Sequence, residues 1–158
     1  MSISDKYRKW DLRFLNLARH VAQWSKDPST KVGAVITDNN RIVSLGYNGF
    51  PMQTKDTEEL YLNREEKYKR IVHAETNAIL FAKQPLEDCT IYTWPIPPCS
   101  TCAGLIIQSK IYRVVSPPLD STYLRWLDNI RTAKEMFKEA YVIWSEITNE
   151  EIETASSG

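Results

Sequence analysis

One imidazole, two thiols and a carboxylate stand at a spacing that suits hydrolytic chemistry: His73-Ala74-Glu75, then Pro98-Cys99-Ser100-Thr101-Cys102. His73, Cys99 and Cys102 offer three donors for zinc and leave the fourth tetrahedral position to water, the arrangement of a catalytic rather than a structural site. Glu75 need not be a ligand. Zinc lowers the pKa of a bound water to about 7, and a carboxylate beside it can shuttle protons between that water and a substrate. Zn2+ is therefore the expected cofactor and Glu75 the expected acid–base residue.

The Cys-x-x-Cys pair alone is ambiguous: it suits a redox dithiol, half of a zinc ribbon, or two thiols one helical turn apart. With three cysteines in the chain, a ribbon needs further His or Asp ligands. A redox dithiol leaves the accompanying His73-Ala74-Glu75 without a purpose. The other histidine, His20, lies beside apolar positions of an N-terminal helix and reads as packed or surface. Cys89 opens a strand-like run and reads as a buried thiol. A helix is expected to start at or just after His73. Another starts at Cys99, entered through Pro97-Pro98, where proline is tolerated. Cys99 and Cys102 are then i and i+3, on one face of a first turn. All the donors thus sit at helix N-termini, where free N–H groups and the positive dipole end stabilise thiolates and a negative hydroxide.

The elements that must hold these donors can be read from periodicity. Residues 5–24 repeat apolar side chains at three- and four-residue intervals (Trp10, Phe14, Leu17, Ala18, Val21), an amphipathic helix. Asp27-Pro28-Ser29-Thr30 breaks it. Two strand-like runs, 31–37 and 41–45, flank Asp38-Asn39-Asn40, a hairpin signal. A loop at 46–51 leads through polar sequence to a charged helix ending near Arg70. After the helix from Ala74 come a strand at 89–93, the Cys99 helix, a strand at 111–115, a turn at Pro117-Pro118, a helix over 123–139 and a strand at 141–144. Residues 1–147 read as one domain, and the acidic, Ser-ended stretch 148–158 as a flexible tail that frays. Strands and helices in this order predict a three-layer α/β/α domain, with right-handed parallel crossovers among the later strands.

Composition narrows the function classes. Twenty basic and twenty acidic residues cancel, which leaves no general electrostatic footprint for a nucleic acid. Chemistry on tRNA or single-stranded nucleic acid would need a basic groove. The run Asn63–Arg70 alternates in sign and reads as a solvated helix face. No stretch has the ~18 apolar residues of a membrane span, and the first residues lack a secretory h-region. Thiols kept for zinc must stay reduced, which places the protein in the cytoplasm.

H-x-E…P-C-x-x-C is the established signature of zinc-dependent deaminases. With it, the blocks Ser25-Lys-Asp-Pro-Ser-Thr-Lys-Val-Gly-Ala-Val, Gly46-Tyr-Asn-Gly-Phe-Pro51 and His73-Ala-Glu-Thr-Asn-Ala-Ile make most of the chain resemble the cytidine deaminase-like superfamily. Within it, the loop at 46–51 resembles the deoxycytidylate (dCMP) deaminase family. The resemblance implies a mixed five-stranded sheet between helices, a homo-oligomer, and a small-molecule nucleotide substrate. The implied reaction is conversion of dCMP to dUMP with ammonia release, by zinc-hydroxide attack at C4. The runner-up substrate is another base, nucleoside or modified cytosine nucleotide.

Carried over by position, His73, Cys99 and Cys102 hold zinc. Glu75 moves protons to N3 and to the departing amine, and the Ala74 N–H lies near the pyrimidine O2. Asn48 is expected to bond the sugar or base, or else to serve its own turn. Phe81 and Trp94 are expected to wall the pocket, or else to be core. Ser29, Thr30 and Lys31 offer donors and charge for the phosphate, or else form a simple turn. The connection 92–98 is longer and richer in proline than the family pattern. Segment 116–126 also departs from it and is a candidate oligomer contact or phosphate site. With His20 and Cys89 as the remaining soft donors, a second zinc is not expected.

Overall fold

A computed structural model describes residues 3–157. The N-terminal apolar periodicity becomes helix α1 (Ile3–Ala22), followed by the hairpin β1 (Gly33–Asp38) and β2 (Arg41–Tyr47). The charged stretch forms two short helices, α2 (Glu58–Leu62) and α3 (Arg64–Arg70), divided at Asn63, whose side chain caps α3 by accepting from Glu66 N at 3.2 Å. Then follow α4 (Ala74–Phe81), β3 (Thr90–Trp94), α5 (Ser100–Gln108) and β4 (Arg113–Ser116). A 3-10 turn (Ser121–Trp126), α6 (Leu127–Glu139), β5 (Ile143–Glu146) and α7 (Asn149–Ser156) complete the chain.

The five strands form one mixed sheet in the order β2-β1-β3-β4-β5. β1 is antiparallel to both β2 and β3, while β3, β4 and β5 run parallel. Successive strand side chains point to opposite faces, and the two cores divide accordingly. Ala34, Ile36, Ile91 and Val114 face one way and pack with Ala78 of α4, Ile106 of α5 and Phe137 of α6. Val35, Tyr92 and Val115 face the other way and meet Phe14, Leu15 and Ala18 of α1 and Ile152 of α7. The expected three-layer α/β/α fold with a mixed five-stranded sheet is what forms.

Two glycines set how closely helices approach the sheet. A Cβ on Gly33 would stand 2.0 Å from the Ala18 carbonyl oxygen, and one on Gly46 would stand 2.3 Å from that of Ala74. α1 and α4 therefore lie on the backbone itself, and Ser44 Oγ donates to the Ala78 carbonyl at 2.7 Å to hold α4 in place. α1 is also pinned by charge. Arg113 makes a bidentate pair with the buried Asp11 at 2.7 and 2.6 Å, and the Tyr92 hydroxyl donates to the same carboxylate at 2.8 Å.

One element departs from expectation. The segment from Thr148 does not fray: Thr148 caps α7 by accepting from Glu151 N, and Ile152 is buried in the α1 core. Thr148-x-x-Glu151 has the pattern of a capping box, and the short helix is docked by the burial of Ile152 together with an Arg8–Glu151 ion pair and the Asn16 bond to the Ile152 carbonyl at 3.3 Å. Among the described residues no helix is long and apolar enough to cross a membrane.

Candidate active site and metal centre

α4 and α5 present their N-termini to one place. His73 is the N-cap of α4 and Cys99 the N-cap of α5. His73 Nδ1 lies 3.4 Å from Cys99 Sγ and 3.4 Å from Cys102 Sγ, and the three donor atoms fall within 4.8 Å of one another. A tetrahedral zinc with ordinary Zn–N and Zn–S bonds separates such nitrogen and sulfur atoms by about 3.5 Å. The donor set therefore fits zinc without rearrangement.

Outer partners orient the donors, as metal ligands require. Cys102 N donates to Cys99 Sγ at 3.5 Å, and Thr76 Oγ1 stands 3.7 Å from Cys102 Sγ. Ser100 N, otherwise an unpaired group at the start of α5, donates to Asn129 Oδ1 of α6 at 2.7 Å. Asn129 thereby fixes the turn that carries Cys99, a role no local pattern announced.

The close approach of the donors couples their protonation. The two thiols share one proton: a hydrogen bond from Cys102 holds the Cys99 thiol down to about 4, and the same bond pushes Cys102 up. The hydrogen bond to Cys99 raises His73. Burial pushes the Glu75 carboxyl above its ordinary range, the direction that suits a group which must both take and give protons.

Glu75 and Ala74 line a cavity beside these donors, with His73 and Cys99 at one side. Ala74 is the first residue of α4, so its N–H has no partner within the helix. Thr30, Val32 and Asn48 form a second wall, Ile96 and Pro97 a third, and Arg125, Trp126 and Ile130 a fourth.

Several expected contacts are placed differently. Asn48 lines the cavity, but its carboxamide already serves the protein: Nδ2 donates to the Thr30 carbonyl at 2.9 Å and to Asp27 Oδ2 at 3.4 Å, and Oδ1 accepts from Val32 N at 2.9 Å. These contacts match the second of its two expected roles, service to the surrounding backbone. Phe81 is 48% exposed at the far end of α4, about 10 Å along the helix from the site. Trp94 shares the sheet face of Tyr92, toward α1, and its Nε1 donates to Asn149 Oδ1 at 3.1 Å. Ile96 and Pro97 take the wall position expected of Trp94.

Of the proposed phosphate trio, Thr30 alone lines the cavity. Ser29 Oγ accepts from Lys67 Nζ at 3.1 Å, and Lys31 Nζ donates to the Ser25 carbonyl. Of two charged residues at the cavity, Lys67 goes unforeseen by sequence reasoning, while Arg125 lies in the segment 116–126 expected to hold an oligomer contact or phosphate site. Lys67, buried despite its place on an apparently solvated helix, pairs with Asp27 at 3.1 Å, and both side chains line the cavity. Arg125 stands at the cavity edge with its guanidinium 3.5 Å from Thr30 Oγ1.

Comparison with known proteins agrees with this geometry. Residues 8–117 match the family model described as the cytidine and deoxycytidylate deaminase zinc-binding region. An uncharacterised deaminase in the luxG 3′ region of Aliivibrio fischeri is 49% identical over 138 residues, covering 85% of this chain and 90% of that protein. The Homo sapiens deoxycytidylate deaminase is 37% identical over 118 residues, 70% of this chain, and the match spans 66% of the human protein's length. The fold is that of the dCMP deaminase of cyanophage S-TIM5, solved with dCMP and dUMP, at a TM-score of 0.68 and 21% identity over 93% of this chain and 99% of that one. A family match across most of the chain, joined to a His–Cys–Cys donor set with Glu75 beside it, makes this protein a member of the zinc-dependent cytidine and deoxycytidylate deaminase family.

Proposed function

We propose that the chain is a hydrolytic deaminase that converts dCMP to dUMP and ammonia. The observation that carries this reading is the cavity itself: a buried proton carrier beside a metal-binding donor set, with a cation that no described carboxylate pairs in the same lining. His73, Cys99 and Cys102 would hold zinc, which when bound acidifies a water to a pKa of about 7 and so supplies the nucleophile at neutral pH. Glu75 would take the first proton of that water and give it to N3 of the pyrimidine, then take the proton of the hydroxyl added at C4 and pass it to the departing amine as the C4 carbonyl forms. The Ala74 N–H, unpaired within α4, would donate to the pyrimidine O2.

The phosphate end follows from charge accounting. Asp27 and Lys67 neutralise each other. Among the described residues no carboxylate pairs with Arg125, whose recorded partners are the Thr30 hydroxyl and the Trp126 ring. An anion bound at this edge meets both a guanidinium and a hydroxyl. This assigns the 5′-phosphate to Arg125 and Thr30 in place of Ser29 and Lys31.

The relatives named deoxycytidylate deaminases support the substrate, and the zero net charge argues against a nucleic-acid substrate. Ammonia release measured over dCMP, dCTP, deoxycytidine, cytosine and guanine tests the reading. dCMP is expected to give the highest kcat/KM, and a preparation active on unphosphorylated substrates alone refutes it. Three free thiols suit a reducing cytoplasm. Leu80, Phe81 and Leu105, exposed on α4 and α5, offer an apolar face for self-association, which sedimentation analysis checks.

A further inference from the structure

Trp126 Nε1 is, among the described residues, the buried side-chain nitrogen or oxygen that has no hydrogen-bond partner. A buried donor left unpaired is costly, and native structures keep such groups chiefly where a ligand or a motion uses them. This one belongs to the cavity wall. The indole stands edge-on to the His73 ring, with centroids 6.5 Å apart and planes at 86°.

The cavity is about 70 Å³ and opens to solvent, well below the roughly 300 Å³ at which small-molecule pockets begin. A nucleotide bound there is therefore enclosed only if a wall moves over it. The α4 wall is fixed by its contact on Gly46 and by the Ser44 hydrogen bond. The wall of Thr30 and Asn48 is fixed by the buried Asp27 and its bonds to Asn48 and to the Ser29 and Thr30 amides. The third wall is stiffened by Pro95, Pro97 and Pro98.

The fourth wall is the exception. The 3-10 turn Ser121–Trp126 buries none of its residues, is interrupted at Tyr123 (φ −115°, ψ 25°), and packs on no helix or strand but α6. It carries both Arg125 and Trp126.

We propose that Ser121–Trp126 is a flap over the nucleotide site, and that Trp126 sets substrate preference by donating its indole N–H to a 5′-phosphate oxygen when the flap rests on the nucleotide. The proposal rests on the dCMP reading. Arg125, its neighbour on the same turn, has no anionic partner among the described residues, so an anion bound under the flap satisfies the cation and the orphan donor together. A site whose donor is left unpaired by the wrong ligand discriminates strongly against that ligand. Deoxycytidine, which lacks the phosphate, leaves the indole N–H as it is in the free protein.

Trp126→Phe in the zinc-loaded full chain tests this, because it keeps a ring and deletes the donor. Ammonia release should show KM for dCMP raised about tenfold, with the rise exceeding any fall in kcat and with deoxycytidine kinetics little changed. The unliganded variant should melt no lower than the parent, since it has lost an unsatisfied donor. Amide hydrogen exchange in 121–127 should slow when dUMP is added. Equal losses on dCMP and deoxycytidine, an unchanged KM for dCMP, or exchange indifferent to dUMP each overturn the proposal. So does a lower melting temperature with unaltered dCMP kinetics, which is the mark of mere packing. The parent enzyme's own preference between dCMP and deoxycytidine decides the substrate reading separately. If the parent prefers dCMP and the variant keeps that preference, the flap proposal alone falls.

Discussion

Removing the carboxylate of Asp27 while leaving Lys67 in place should be among the most damaging polar substitutions available in this chain. The two side chains are 3% and 6% exposed, with Lys67 Nζ 3.1 Å from Asp27 Oδ2 and a further bond to Ser29 Oγ at 3.1 Å. Asp27→Asn leaves a buried ammonium facing a neutral amide, and breaking a buried pair on one side costs about 3–5 kcal/mol. Lys67→Met should cost less. Asp27 then still accepts from Ser29 N at 2.9 Å, Thr30 N at 3.3 Å and Asn48 Nδ2 at 3.4 Å, donors that hold a carboxylate's charge. The double variant removes both charges, so its loss should fall short of the sum of the single losses by at least about 1 kcal/mol. Urea denaturation of the four proteins at one fixed, saturating zinc concentration measures the cycle. Losses that add to within about 0.5 kcal/mol, or an Asp27→Asn cost below about 1 kcal/mol, refute the claim that this pair is dry and interdependent.

Glu75→Gln should keep stoichiometric zinc by elemental analysis while kcat falls by about 10²–10⁴, the usual contribution of a positioned proton carrier. Cys99→Ser and Cys102→Ser should lose zinc and, with it, a large part of thermal stability, because metal binding energy is folding energy when the ligands assemble only in the native state. Full zinc content in either variant counts against the ligand assignment. Arg125→Gln should raise KM for dCMP by about ten- to a hundredfold, the range of a charge-assisted hydrogen bond, and should leave deoxycytidine kinetics near those of the parent. Equal effects on both substrates would remove Arg125 from the phosphate end.

The metal centre was legible because the chemistry left few choices: His20 and Cys89 were the alternatives, and both sat in apolar patterns. The sheet order followed less directly, since a strand-like run beside a hairpin turn tells that β1 pairs with β2 but not that β1 lies between β2 and β3. Substrate contacts were the least legible. Asn48 between loop glycines looks the same whether it serves a ligand or Val32 N and the Thr30 carbonyl, because those partners are fixed only when residues 25–32 fold against it. Phe81 and Trp94 were misplaced for geometric reasons, the first by helix direction and the second by strand parity. Lys67 sits in a run whose alternating charges favour water, and only the tertiary position of Asp27 turns it inward. The docking of 148–156 was available in principle, since Thr148 and Glu151 have the pattern of a capping box ahead of Ile152.

The distribution of rigidity around the cavity links these residues to function. Donors for a metal must be held close to their final geometry, because each ångström of rearrangement is taken from binding energy. α4 meets this demand by lying directly on Gly46, and α5 by the Asn129 cap, so the metal end is tied to the same packing that stabilises the fold. A nucleotide must nevertheless come and go, and local opening is drawn from the parts with the fewest buried contacts. The 3-10 turn Ser121–Trp126 buries no residue of its own, so its motion disturbs neither core. Substitutions at Gly46 or Asn129 should therefore lower stability and zinc retention together, whereas substitutions at Arg125 or Trp126 should alter nucleotide affinity alone. That separation follows from one arrangement: the groups that bind the ion are built into the fold, and those that recognise the nucleotide rest on its edge.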